Sequence, residues 1–133
     1  MTDAAHPVLW IRYRKPDRQH KERRISLPAH WGSLLQEYMQ TYKPRQYLFP
    51  WTARNLEYVL TRVAEEAGIS HLTFEMLRWT CAVRDYVEGM DRNALRQKLG
   101  LSTISWYEVE PKLALLAQQL GNRKPRTDED VTI

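Results

Sequence analysis

Cysteine, glycine and phenylalanine are scarce in this sequence: its 133 residues include one Cys, five Gly and two Phe. The single cysteine, Cys81, excludes an internal disulfide, and its place in a helical pattern indicates a small buried side chain. No segment has the roughly 18 consecutive apolar residues that would span a bilayer, and the N-terminus lacks the basic start and apolar core of a secretory signal. No Cys and His residues have the spacing of a metal site, and no glycine-rich phosphate loop is present. We therefore expect a cytoplasmic protein without a metal or cofactor.

Positive charge is concentrated near the N-terminus. Residues 1–28 contain seven Lys and Arg against three Asp and Glu, whereas residues 29–133 contain thirteen of each. A local excess of positive charge favours polyanions, of which nucleic acid is the commonest. The same charges would also suit a hairpin that is merely well solvated. Charge alone leaves both interpretations open.

The charged segment has the pattern of a β-hairpin with a long tip. Residues 8–13 and 23–27 contain the β-branched and aromatic residues of strands, and Pro16 and Asp17 supply turn chemistry between them. Beyond the hairpin, apolar residues at helical spacing predict helices over 31–42 and 54–67. The large aromatic residues are expected to pack in the core. They include Trp10, Trp31 and Trp51.

A longer helix is predicted in the middle of the chain. Thr73 can accept a hydrogen bond from the first free N–H groups of a helix over 74–88, which Gly89 ends. Steps of four and three residues form one stripe on this helix, on the same side as Cys81, and we expect that stripe to face the core. It contains Met76, Thr80, Val83, Val87 and Met90, with Glu75, Arg78, Ala82 and Asp85 opposite.

The last helices are short and closely spaced. Asp91 caps a helix over 92–99, and Gly100 ends it at a tight corner. A further helix covers 102–110, and Pro111, which is typical of a first helical turn, starts another over 111–121. Together the elements predict an α+β fold, a mainly helical single domain over 1–121 with an N-terminal basic hairpin over 8–27. Residues 122–133 are predicted to be a loose tail.

The central stretch resembles the C-terminal half of the catalytic domain of tyrosine recombinases, the phage-integrase family. That family has a Leu-Thr-Pro-His-x-Leu-Arg-His-Thr segment, a later Gly, and a Leu-Gly-His-Ser corner before its nucleophilic Tyr. The matching residues here are Leu72, Thr73, Leu77, Arg78 and Thr80, then Gly89, then Leu99, Gly100 and Ser102. The resemblance implies DNA integration and recombination by a mobile element, through strand breakage and rejoining.

The resemblance also implies roles for individual residues. Arg78 stands at the family's second phosphate-binding Arg, and Tyr107 is the only local candidate nucleophile. Alignment puts Arg18 at the general acid of the hairpin, where the family has Lys, and Lys15 is the nearest lysine. The implied DNA-binding residues are Arg12, Arg14, Lys15, Arg18, Lys21, Arg23, Arg24 and Arg78. Plainer interpretations stay open, in which Arg78 pairs with Glu75 and Tyr107 packs beside Trp106.

The departures from the family fall on the catalytic positions. Glu75 and Leu101 occupy the places of two His residues, and neither suits the task, because a carboxylate repels phosphate and Leu has no proton to transfer. The resemblance covers roughly residues 8–120, the later two-thirds of a catalytic domain, without the segment that carries the first Arg. We expect a truncated or degenerate, nucleoid-associated relative that binds duplex DNA and does not cleave it unaided.

Two alternatives remain from the sequence. Residues 93–108 loosely follow the spacing of a helix-turn-helix regulator, whose recognition face would hold Thr103, Ser105 and Trp106 without Arg or Lys. The helix over 111–121 has an apolar stripe, which could bind a full-length recombinase or a second copy of this chain. In that case the hairpin charges would merely aid solubility.

Overall fold

The computed structural model of the protein describes residues 6–122. Its elements are a strand β1 (Val8–Ile11), a 3-10 helix (Pro16–Lys21), a strand β2 (Arg23–Ser26) and five α-helices. The helices are α1 (Trp31–Tyr42), α2 (Ala53–Glu66), α3 (Phe74–Val87), α4 (Arg92–Leu99) and α5 (Thr103–Gly121). The predicted α+β class, mainly helical with an N-terminal hairpin, is confirmed. The predicted tail lies outside the described residues from position 123 onward.

The hairpin strands are antiparallel and shorter than predicted. Val8 is opposite Ser26 and Ile11 is opposite Arg23. The strand pairing ends at Ile11 because the chain then turns into the 3-10 helix, in which Pro16 is at the first position. Side chains alternate along each strand, so the ribbon has one half-buried face, which contains Leu9 and Ile25, and one exposed face.

Local capping determines the helix ends as the sequence predicts. The Thr73 hydroxyl accepts a hydrogen bond of 3.1 Å from the Met76 N–H, and the Asp91 carboxylate accepts one of 2.9 Å from the Ala94 N–H. Gly100 ends α4 at φ 70°, a left-handed conformation that glycine adopts without a steric penalty.

By its internal contacts the chain divides into two units, with the boundary between Leu77 and Arg78. The first unit contains the hairpin, α1 and α2. A cleft of about 210 Å³ lies in it between the hairpin and α1, and residues of the following loop complete its lining. The lining is almost entirely apolar: Leu9, Leu27, Trp31, Leu34, Leu35, Tyr38, Leu48 and Phe49.

The second unit has a core of its own. Five fully buried or nearly buried side chains form it: Ala82, Leu95, Leu99, Trp106 and Leu113. These residues come from α3, α4 and α5, so each helix contributes one apolar stripe to a common centre. Trp79, Val83 and Tyr86 of α3 pack around the same centre.

The predicted packing face of α3 was wrong in part: Val83 and Met90 pack against the core as expected, but the other residues of the predicted stripe do not. Ala82 is fully buried, whereas Met76 and Val87 are exposed, so the stripe facing the core is rotated from the predicted one. Cys81 is accordingly exposed and not buried. The reason is that two apolar stripes compete on this helix, and the one that contains the larger aromatic residues, Trp79 and Tyr86, packs against the core.

Two further predictions are corrected. Trp10, Trp31 and Trp51 are exposed by 50, 44 and 42 % and do not form a core.

The helices predicted over 102–110 and 111–121 are one helix, α5, with Pro111 inside it. The helix continues because Trp106 and Leu113, two turns apart on either side of Pro111, are buried in the same core. That burial offsets the cost of a proline within a helix.

Candidate nucleic-acid interface

The tip of the hairpin presents positive charge to solvent. Lys15 precedes the 3-10 helix, whose last turn contains Arg18 and Lys21, and all three side chains are exposed. Among residues 6–122, none of the three forms an ion pair with a carboxylate. The backbone of the tip is nonetheless ordered, since the Arg18 N–H donates to the Lys15 carbonyl oxygen over 3.0 Å.

The exposed face of the two strands has an aromatic centre. Trp10 lies directly opposite Arg24 in the strand register, and Arg12 is two positions along from Trp10. The guanidinium carbon of Arg12 is 4.4 Å from the centroid of the indole ring, and that of Arg24 is 4.9 Å away. Both distances are within the range of cation–π attraction.

A second guanidinium–aromatic pair lies beyond the end of β1. The Arg14 guanidinium carbon is 5.0 Å from the centroid of the Tyr47 ring, and Arg14 Nε donates a hydrogen bond to the Tyr47 hydroxyl. Tyr47 belongs to the loop after α1, so this contact ties the hairpin to that loop. The sequence did not suggest Trp10 or Tyr47 as partners of arginines. For Trp10, its alternation with Leu9 along the strand was the available signal.

Arg23 differs from the other basic residues of the hairpin. It is opposite Ile11 on the half-buried face, and its Nη1 donates to the Lys21 carbonyl oxygen over 2.9 Å. Glu22, one of the two acidic residues nearby, accepts a hydrogen bond from the Tyr13 N–H over 3.1 Å. Six of the seven basic residues predicted to bind DNA in this segment are therefore exposed, and Arg23 is half-buried.

Arg78 lies in the second unit, where it contacts the corner between α4 and α5. Its Nη2 donates a hydrogen bond of 2.6 Å to the Leu99 carbonyl oxygen at the end of α4. Arg96 reaches the same corner, because its Nη1 donates to the Leu101 carbonyl oxygen over 3.0 Å while Nε and Nη2 contact Asn93. The role of Arg96 was not predicted, since a contact between a side chain and a backbone turn leaves no pattern in the sequence.

Tyr107 is exposed by 73 %, near the start of α5. Its neighbour Trp106 is buried, so the interpretation in which Tyr107 packs beside Trp106 was wrong. Successive residues of a helix point about 100° apart, which separates the two side chains. Within residues 6–122, no hydrogen bond joins the Tyr107 hydroxyl to Arg78.

The helix-turn-helix interpretation concerns residues 93–108, which include most of α4 and the start of α5. Residues 100–102 join α4 to α5, which is a short connection of the expected kind. Trp106, however, is buried and cannot read a base edge. The exposed side chains of the first two turns of α5 include Ile104, Tyr107 and the acidic Glu108, a poor set for a DNA groove.

The structure therefore brings the predicted hairpin residues together in the first unit, while Arg78 and Tyr107 belong to the second. Among residues 6–122, no group of three or more His, Cys, Asp and Glu side chains is placed to hold a metal ion. Nor does any helix in that part of the chain have the length and apolar character needed to cross a membrane.

Comparison with known proteins gave no relative. No family model matches the chain, and no curated protein or solved structure matches it either.

Proposed function

We propose that this protein binds duplex DNA through its N-terminal hairpin. The observation that carries the proposal is the exposure of six basic side chains within residues 12–24, at the end of the chain that holds its whole excess of positive charge. Three of these arginines lie over aromatic rings, which orders their guanidiniums at the surface. Ordered cations on the exposed face of a two-stranded ribbon suit the regularly spaced phosphates of a duplex.

We further propose that the protein is a degenerate relative of tyrosine recombinases that lacks an autonomous active site. The motif residues around Arg78 and the order of hairpin and helices support the kinship. Glu75 and Leu101, which stand where that family has proton-transferring His residues, argue against unaided cleavage. Modulation of a full-length recombinase, as partner or competitor, is the role that would remain for such a protein.

The test of DNA binding is its dependence on salt. Each phosphate that a cation neutralises makes log K fall with log salt concentration by a slope of about 0.9. Replacing Lys15, Arg18 and Lys21 by Gln together should weaken binding of a duplex and lower this slope by about 2 to 3. The matched control replaces Arg62, Arg84 and Lys112, which are exposed on helices, by Gln and should leave the slope nearly unchanged. Equal slopes for the hairpin variant and the control variant would overturn the proposal.

Cleavage is tested separately with a nicked duplex that traps a covalent protein–DNA adduct. We expect no adduct on a denaturing gel from the wild-type protein, and we expect Tyr107→Phe to bind the duplex as the wild type does. An adduct that forms with the wild type and disappears in Tyr107→Phe would show that strand cleavage survives.

A protein-binding role for α5 is a second candidate, because part of its apolar stripe is exposed. Leu113 is buried, but Leu115, Leu116 and Leu120 are exposed by 55, 43 and 45 %. Such a surface could associate with a second copy or with a recombinase. Sedimentation of the wild type beside a Leu116→Ser, Leu120→Ser variant tests self-association: a dimer lost in the variant supports it, and a monomeric wild type contradicts it.

A further inference from the structure

The exposed face of the hairpin contains one indole ring shared by two arginines. Trp10 is half exposed, and the guanidinium carbons of Arg12 and Arg24 lie 4.4 and 4.9 Å from its ring centroid. The strand register explains this arrangement. Arg24 is the cross-strand partner of Trp10, and Arg12 is its next neighbour on the same face of the chain.

The two guanidiniums keep their hydrogen-bonding capacity for a ligand. Within residues 6–122, neither Arg12 nor Arg24 forms an ion pair or a side-chain hydrogen bond. Each guanidinium carries five N–H donors in a planar fork that matches the oxygens of a phosphate. Contact with the ring holds each guanidinium but uses none of these donors in a conventional hydrogen bond.

A free arginine loses considerable rotamer entropy when it binds an anion. Arginines already held against a ring have lost part of that entropy before binding, so less of it opposes association. A nucleobase that stacked on Trp10 would instead compete with the two guanidiniums for the ring. The arrangement therefore favours the backbone of DNA over its bases as the group that is contacted.

We propose that Trp10 is a positioning residue that holds Arg12 and Arg24 as a clamp for backbone phosphates of duplex DNA. The clamp rests on the proposed DNA-binding function and adds to it the residues and the chemical group that are contacted. It predicts that Trp10 matters for affinity although it carries no charge. It also predicts that the contribution of Trp10 depends on its two arginines.

The experiment measures the affinity of a duplex for Trp10→Leu, Arg24→Gln and the double variant, in one buffer and across a salt series. Trp10→Leu should weaken binding about two- to fivefold, which is the effect of an exposed cation–π contact. Trp10→Tyr should restore most of the loss, since Tyr also offers an aromatic face. In the Trp10→Leu background, Arg24→Gln should cost clearly less than it does alone, because the two residues act as a unit.

Tyr58 offers a matched control. It is an exposed aromatic residue on α2, and the guanidinium carbon of Arg54 lies 5.8 Å from its ring centroid. Tyr58→Leu removes an exposed ring beside an arginine, as Trp10→Leu does, and should leave DNA affinity within the error of the assay. The circular dichroism spectrum and melting temperature of each variant show that it has folded.

The outcomes separate the clamp from the function on which it rests. If the wild type does not bind duplex DNA, both proposals are overturned. If it binds, but Trp10→Leu binds equally well or its effect simply adds to that of Arg24→Gln, only the clamp is overturned. If Trp10→Tyr fails to restore affinity although Trp10→Leu loses it, the positioning role is likewise overturned.

Discussion

Nη2 of Arg78 donates a hydrogen bond of 2.6 Å to the backbone carbonyl oxygen of Leu99, the last residue of α4. The last carbonyl groups of a helix have no partner within the helix, and the negative end of the helix dipole attracts a cation. Arg78 therefore stabilises the corner between α4 and α5. This contact uses one of its five donors, so a structural role and a phosphate contact are compatible at the same side chain.

Arg78→Met should destabilise the protein by about 1–2 kcal/mol, because it removes a charge-assisted hydrogen bond to a helix terminus. Arg84→Met is the matched control, since Arg84 is an exposed arginine of the same helix, and it should change stability by less than about 0.5 kcal/mol. Urea unfolding of both variants provides the measurement. Equal effects of the two substitutions would contradict the capping role.

Leu113→Ala should destabilise the protein by about 2–5 kcal/mol, because Leu113 is fully buried and its truncation leaves a cavity. Leu115→Ala, two positions along the same helix, removes the same atoms from a side chain that is 55 % exposed. It should cost less than about 1 kcal/mol. Denaturant midpoints compare the stability of the two variants. A similar loss of stability in both would mean that α5 does not bury the face that contains Leu113.

Lys98 and Asp85 form an ion pair of 2.6 Å between α4 and α3, with Cys81 Sγ 3.7 Å from the same carboxylate oxygen. Burial lowers the pKa of the Lys98 ammonium, but the hydrogen bond to Asp85 and the neighbouring Cys81 and Asp85 charges outweigh it, so the pKa is raised above its usual value. A lysine whose pKa is raised on folding stabilises the protein fully below its unfolded pKa of about 10.4. That stability is lost as the pH rises through the folded pKa.

Lys98→Met should therefore be less stable than the wild type by about 1–2 kcal/mol near neutral pH. The difference should stay constant up to about pH 10 and shrink above it. Urea unfolding of both proteins across this range gives the difference directly, with Lys112→Met as the control for loss of an exposed lysine. A difference that widens at high pH would contradict the assignment.

Pro111→Ala should stabilise the protein by about 1–2 kcal/mol. Pro111 lies inside α5 and lacks the N–H that would bond to the Tyr107 carbonyl oxygen, so alanine restores one helical hydrogen bond. Part of the gain is offset because proline also restricts the unfolded chain. Thermal and urea unfolding measure the change, with Gln118→Ala on the same helix as control. A loss of stability would show that the packing on either side requires a bend at Pro111.

Several features of this protein could be predicted because their causes are local. The caps of Thr73 and Asp91 and the glycine end of α4 each depend on a hydrogen bond or backbone angle within about four residues. The basic hairpin follows from composition and strand periodicity. For the same reason, most of the predicted helix bounds lie within one residue of those in the structure.

The sequence predicted which basic residues belong to the candidate interface, but not how their side chains are arranged. The basic residues of the hairpin were identified by type, whereas the contacts of Arg12 and Arg24 with Trp10 depend on which residues are paired across the strands. Trp10 was assigned to the core because large aromatic residues are usually buried. Its place on the exposed face follows from Leu9 and Ile25 occupying the half-buried one.

The amino-acid sequence by itself determined where charge accumulates, which residues cap the starts of α3 and α4, and which residues share each face of a strand, since these follow from neighbours along the chain. Only the tertiary structure decided which stripe of α3 is buried, that α5 continues through Pro111, and that Arg78 caps α4. Each of these depends on packing between segments that are distant in sequence, where burial of Ala82, Trp106 and Leu113 in one core outweighs local preference.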